Sequence, residues 1–144
     1  MLTVNQIYKT LGALSNRYER LKKKFNDFYA LAGYLSSGRS EISGISLEGH
    51  LDENYFIVAF CGRLLEFRFS ITIDDNSAAK GVVSSYVTDP VNPSQRILVT
   101  RFTYSESGAT DVQKPEDIED LISVDSDAGA VFLVCYCLHN AFAG

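Results

Sequence analysis

The sequence has few cysteines and histidines and no long apolar run, and these shortages exclude several classes of protein. Its longest apolar run, residues 131–138, has eight residues, whereas a helix that crosses a bilayer needs about 20. The amino terminus lacks a basic stretch followed by an apolar core, so we expect no secretory signal. Three cysteines are an odd number, and Cys135 and Cys137 lie too close together to pair well. We therefore expect a reducing, cytoplasmic setting and no membrane span.

What remains is the composition of an ordinary globular protein. Apolar residues make up 46% of the chain and charged residues 22%, which is the usual balance for a folded domain. A chain of 144 residues fits one domain, and a domain of that size buries roughly 70% of the surface that its unfolded chain exposes. We therefore expect a single domain over residues 1–144.

An apolar stripe with steps of three and four residues marks the first part of the chain. It is formed by Val4, Ile7, Leu11, Leu14, Tyr18, Leu21, Phe25, Phe28, Ala32 and Leu35. This spacing places its members on one side of an α-helix and predicts a helix over residues 3–35. Two partners compete for the stripe: the protein's own sheet, or the same helix of a second copy, which predicts a homodimer.

Between residues 41 and 105 the period falls to two, which indicates β-strands. Five segments are predicted as strands: residues 42–47, 55–60, 63–73, 81–88 and 96–104. Phe67 and Phe69 alternate with polar residues and face a core, whereas residues 55–60 are apolar throughout, as in a strand covered on both faces. Short connections between the strands, such as Cys61-Gly62, predict an antiparallel meander.

The last part of the chain is predicted to be helical again, within residues 115–143. Proline and acidic residues in a first turn predict a short helix over residues 115–122. A second helix is predicted over residues 128–142, with residues 125–127 as its cap. The predicted fold is therefore α+β: a long amino-terminal helix packed on an antiparallel meander of about five strands, followed by one or two carboxy-terminal helices.

Few residues can carry chemistry. Cys135 and His139 lie four apart on the second predicted helix and share a face, while Cys137 points elsewhere. Zinc needs three or four ligands, and no further pair of ligands has a suitable spacing, so core packing is the favoured interpretation of the cysteines. We expect no metal, no cofactor and no catalytic group.

Two further segments have a weaker resemblance to functional sites. His50 lies among acidic residues in a predicted turn, where it could act as a general base, although the exposed edge of a sheet collects such residues without any function. Asp125 and Asp127 resemble the start of a calcium loop, but the twelfth position is Tyr136 and not an acid. The segment is therefore interpreted as a helix cap.

The charges are divided unevenly along the chain. Residues 1–40 contain seven basic and two acidic residues, and residues 41–144 contain six basic and sixteen acidic ones. Either the two halves neutralise each other within the fold, or the basic side of the helix binds an acidic protein partner. The residues concerned are Arg17, Arg20, Lys22, Lys23 and Lys24. A net charge of −5 argues against nucleic acid as the partner.

The sequence favours a non-catalytic protein-binding module over an enzyme, because patterned apolar surface is plentiful and the common catalytic motifs are absent. Its size, acidity and order of helix, sheet and helix are similar in outline to small bacterial chaperones of secreted effectors and to toxin immunity proteins. The secretion chaperones also have a helix midway through their strands. Residues 74–80, the corresponding segment here, are too few to form one. The alternative is a ligand-binding protein or enzyme with a pocket between the sheet and the long helix. Its lining would be Phe67, Phe69, Phe102 and Tyr104.

Overall fold

The chain folds into a five-stranded antiparallel sheet that carries two α-helices, as a computed structural model describing residues 1–89 and 91–143 shows. The helices are α1 (Val4–Ala32) and α2 (Asp127–Ala143), and a 3₁₀ turn, Gly33–Ser36, extends α1. The strands are β1 (Ser46–His50), β2 (Tyr55–Phe60), β3 (Arg63–Ile73), β4 (Ala79–Thr88) and β5 (Arg96–Tyr104). This architecture confirms the predicted α+β fold.

Helix α1 begins at a capping box. The Thr3 hydroxyl accepts a hydrogen bond from the Gln6 amide at 3.1 Å, and the Gln6 side chain accepts one from the Thr3 amide at 2.8 Å. These bonds satisfy amides that the first turn of a helix otherwise leaves without partners. The predicted long helix is thus confirmed, with its α-helical part ending at Ala32 and not at residue 35.

The sheet is a meander in which each strand pairs with the next one along the chain. Its register aligns Phe56 with Phe67, and Val83 with both Phe69 and Phe102, so that the alternate residues of β3 face the helices as predicted. Cys61 and Gly62 form the hairpin between β2 and β3, and both have positive φ angles, as the type I′ turn common in two-residue hairpins requires.

Three local predictions are wrong. Strand β1 begins at Ser46 and not near residue 42. Strand β2 is not covered equally on both faces, since Phe56 and Val58 are fully buried while the residues between and beside them are only partly buried. Residues 115–122 form turns and extended chain instead of a helix.

The absence of a helix over residues 115–122 has two physical reasons. Acidic residues three and four apart along this segment would repel each other on a helical surface. In addition, the Ile122 carbonyl accepts hydrogen bonds from both the amide and the hydroxyl of Thr110, at 2.9 Å each. Ile122 is also buried, so the segment is held as an extended edge beside residues 109–110.

Candidate functional site

The space between the sheet and α1, where the sequence places a pocket, is filled by aromatic rings. Phe67, Phe69, Phe102 and Tyr104 are at most 5% exposed. The ring of Phe28 lies 6.1 Å from that of Phe67 and 6.3 Å from that of Phe102. These residues therefore belong to the core and do not line a pocket.

Tyr104 closes one end of this core. Its hydroxyl donates a 2.6 Å hydrogen bond to the Leu21 carbonyl in the middle of α1. Its ring lies directly over Gly81, where an added β-carbon would come within 2.1 Å of the ring atom Cζ. Burial raises the pKa of Tyr104, so this phenol stays protonated and serves as a fixed donor.

Three of the five basic residues on α1 form surface ion pairs within the chain. Arg17 and Arg20 share the carboxylate of Glu106, at 3.7 Å and 3.4 Å. Lys23 pairs with Asp27 on the next turn of the helix, at 3.0 Å. Exposed pairs of this kind contribute little to stability, but their two carboxylates partly neutralise the three positive charges that the sequence offers to an acidic partner.

Lys22 and Lys24 are turned further into the fold. Lys22 donates to the Leu51 carbonyl and lies 5.7 Å from the Phe69 ring centre, and burial lowers its pKa, although Asp52 and Glu19 oppose this. Lys24 donates to the Asp125 carboxylate, with both side chains about three-quarters buried. Lys24 therefore pairs the basic helix with the acidic remainder of the chain, while Lys22 is held by a backbone carbonyl.

The first part of α1 has no such contacts with the core. The first apolar side chain of α1 that packs on the core is Leu14. Before it, Val4, Ile7 and Leu11 are 63%, 43% and 56% exposed. Residues 1–13, here called the arm, contain Lys9 as their one charged side chain. The arm is therefore an apolar helical surface in contact with solvent.

A second apolar surface lies beside α2. It is a groove of about 820 Å³ between the outer side of α2, the end of β2 and the chain before β1. Aromatic rings form much of its wall, with Phe60 and Phe142 packed edge to face at 5.9 Å and Phe132 stacked on Tyr136 at 5.8 Å. The groove is therefore large enough for a small molecule and has mainly apolar and aromatic walls.

The cysteine and histidine predicted to share a face of α2 both line this groove. Cys135 and His139 lie on its wall, while Cys137 is fully buried on the opposite side of the helix. Burial raises the pKa of Cys135, and it raises the pKa of Cys137 to about 12. Thiols with raised pKa values are poor nucleophiles at neutral pH, because the thiolate is the reactive form.

The segment before α2, where the sequence places a helix cap, has a structural role. Asp125 accepts hydrogen bonds from Lys24 and Ser123, and these bonds hold its pKa below the usual value even though burial alone would raise it. The Ser126 hydroxyl accepts from the Gly129 amide at 3.1 Å and caps α2. No cluster of three or more metal-binding side chains occurs within residues 1–89 and 91–143.

The open face of the sheet has a ladder of stacked side chains that the sequence did not indicate. His50 stacks on Tyr55 at 4.7 Å, and the Arg68 guanidinium lies 4.6 Å from the same ring. Arg68 and Arg96 both bind Glu66, with Arg68 Nε 2.6 Å from the carboxylate. His50 thus belongs to a cross-strand cluster, which could be found only from the strand register.

Comparison with protein-family models, curated proteins and solved structures finds no match for this chain. Within the described residues, neither helix combines the length and the apolar character that crossing a bilayer demands.

Proposed function

We propose that this protein is a non-catalytic protein-binding module, of the kind represented by small cytoplasmic chaperones, adaptors and immunity proteins, and that it pairs with a second copy through the arm. The observation that carries the proposal is the exposed apolar stripe of Val4, Ile7 and Leu11 on a helix with a complete cap. An apolar stripe of this kind is typical of a helix that packs on another surface.

The arm would gain stability from a partner. It continues a helix that packs on the core from Leu14 onward, but its exposed turns open more readily than packed ones, because no tertiary contacts compensate for the conformational entropy that they lose. Gly12 weakens the arm further, since a glycine in a helix interior costs about 1 kcal/mol relative to alanine. Packing of the apolar stripe against a second surface supplies the stabilisation that the arm lacks.

The size and charge of the arm suit a second copy as that surface. The exposed apolar side chains of its stripe are accompanied by those of Met1, Leu2 and Tyr8, each at least 69% exposed, and exposed apolar surface of this extent is typical of an interface. Lys9 lies on the side of the helix opposite the stripe. Two arms crossing about a twofold axis therefore bury no charged side chain.

A reducing, cytoplasmic setting is part of the proposal. All three cysteines are free thiols. Cys135 and Cys137 project to different sides of α2, one into the groove and one into the core. They are therefore not arranged to form a disulfide with each other, and a compartment that keeps thiols reduced suits them.

Sedimentation velocity over a protein concentration range of about 1 to 200 μM tests the pairing. We expect the wild-type chain to shift from monomer to dimer within this range, as for interfaces of moderate size. The double variant Ile7→Glu, Leu11→Glu should stay monomeric, because four charges would be buried at the twofold contact. Its cooperative thermal unfolding should persist, since neither side chain belongs to the core.

A matched control places the same two charges on the other side of α1, one within the arm and one just beyond it. Asn5→Glu, Asn16→Glu changes exposed positions away from the stripe, and this variant should dimerise like the wild type. A wild-type chain that remains monomeric at the highest concentration would contradict the proposal. Equal loss of dimer in both double variants would show a general charge effect and would contradict it as well.

A further inference from the structure

We infer that the groove beside α2 binds a small, uncharged, largely aromatic molecule. The inference is independent of pairing through the arm, because none of the residues that line the groove belongs to α1. It follows from the volume of the groove, the composition of its walls and the charges around it.

The dimensions of the groove suit one small molecule. Its volume of about 820 Å³ falls within the range of about 300 to 1,000 Å³ that is usual for small-molecule sites. Three separated parts of the chain form the walls, represented by Ile42, Phe60 and Phe132. Rings on more than one wall allow an aromatic ligand to stack on one ring and meet another edge to face.

The charges around the groove favour a neutral ligand. Among residues 1–89 and 91–143, no acidic side chain lines it, so the described wall offers no counterion to a cationic ligand. The wall includes the last turn of α2, whose carbonyl end carries partial negative charge and disfavours anions. The nearby Arg63 is already engaged, since it donates to the Ala141 carbonyl and lies 4.5 Å from the Phe142 ring centre.

The few polar groups also distinguish a small molecule from a peptide. An extended peptide must pair its backbone amides and carbonyls along its whole length. Apart from Cys135 and the Tyr136 hydroxyl, the polar side chains on the described part of its wall are those of His139 and Asn140, which are neighbours on α2. These two residues suffice to orient one uncharged polar group of a ligand, such as a hydroxyl or an arylamine.

Two fluorescent probes with the same aromatic body test the inference. N-phenyl-1-naphthylamine is uncharged, and 8-anilinonaphthalene-1-sulfonate adds one sulfonate to the same rings. We expect the uncharged probe to bind with a Kd at least about tenfold lower, because the sulfonate must be desolvated beside carbonyl groups. Equal or tighter binding of the sulfonate would overturn the assignment of a neutral ligand.

Variants locate the bound probe. Ile42 is 39% exposed and lies in the chain before β1, so Ile42→Glu should leave the fold intact and weaken the uncharged probe at least about tenfold. Leu121→Glu changes a residue that is 72% exposed and does not line the groove, and it should bind like the wild type. The arm variant Ile7→Glu, Leu11→Glu should also bind normally, which separates this site from the pairing surface.

Thiol alkylation gives a second measurement that does not depend on fluorescence. Cys135 lines the groove, whereas Cys61 is exposed in the hairpin between β2 and β3. Saturating uncharged probe should slow alkylation of Cys135 by iodoacetamide at least about fivefold, because the bound ring covers the thiol. Alkylation of Cys61 should be unchanged. Absence of binding, or binding that leaves Cys135 as reactive as before, would overturn the inference.

Discussion

The two halves of α1 have the same apolar spacing but opposite surroundings. Leu21, Phe25 and Phe28 are fully buried, whereas Val4 and Leu11 are more than half exposed. The core reaches only part of the helix: α1 has 29 residues, and the first of its apolar side chains that packs on the core is Leu14. A heptad stripe therefore shows which side of a helix can be buried, and contacts with the rest of the fold decide how much of that side is covered.

The largest expected effect is the difference between two single variants, one with a charge in the buried half of α1 and one with a charge in the exposed half. Phe25→Asp should prevent folding, because the carboxylate would be buried among the Phe56 and Phe69 rings with no partner. Ile7→Asp should leave a cooperatively melting domain, since the side chain is 43% exposed. Far-UV circular dichroism during thermal unfolding measures both. A soluble, cooperatively melting Phe25→Asp protein would remove the distinction between the two halves.

An effect of intermediate size is expected where α1 joins the acidic part of the chain. Asp125→Asn should lower the free energy of unfolding at pH 7 by about 2 kcal/mol, because a charge-assisted hydrogen bond from Lys24 loses its ionised acceptor. The arm has no comparable bond to a distant residue. Urea unfolding of wild type and variant at a series of pH values measures the difference.

The pH dependence of that difference has a definite sign. The pKa of Asp125 is lowered in the folded state, so its stabilisation is complete above the unfolded pKa of about 3.9 and is lost as pH falls through the lower folded value. The gap between wild type and Asp125→Asn should thus be constant from pH 7 to about pH 5 and shrink below about pH 4. A gap that widens on acidification would contradict the assigned ion pair.

The smallest effect concerns Gly12, within the arm. A β-carbon at this position meets no other atom within 4 Å, so Gly12→Ala should stabilise the helical arm by about 0.5 to 1 kcal/mol. The gain should appear as slower amide hydrogen exchange in residues 4–13, with little change in the midpoint of urea unfolding at monomeric concentrations. Gly33→Ala, at the carboxy end of α1, provides a comparison at a second glycine whose added β-carbon also meets no atom.

Local patterns predicted the sheet well. Strands β3 and β5 have the predicted bounds, and the hairpin between β2 and β3 falls at Cys61 and Gly62. Alternation fixes which side of a strand is buried, and a two-residue connection fixes the pairing of its neighbours. The stripe on α1 likewise gave the helix and its buried side, because both depend only on residues close together in sequence.

Features that depend on contacts between residues far apart in sequence could not be predicted from local patterns. Lys24 and Asp125 are 101 positions apart, so their pairing depends on the whole topology. The groove is a property of three segments that no local pattern joins. One signal existed: residues 131–138 are apolar on every side, and a helix that packs through one face must then leave apolar residues on the other.

The hydrogen bond from Tyr104 to the Leu21 carbonyl, together with the contact of its ring with Gly81, fixes the position of α1 on the sheet and thereby the direction in which the arm projects. A directional bond and a contact without spare room prevent α1 from sliding or turning against the sheet by even one residue. One residue inserted before Leu14 would rotate the apolar stripe of the arm by about 100° and move it about 1.5 Å outward. Insertions of about seven or eleven residues complete nearly two or three whole turns and would restore its direction to within about 20°. The apolar surface of the arm can therefore change in length by two or more whole turns and not by small steps.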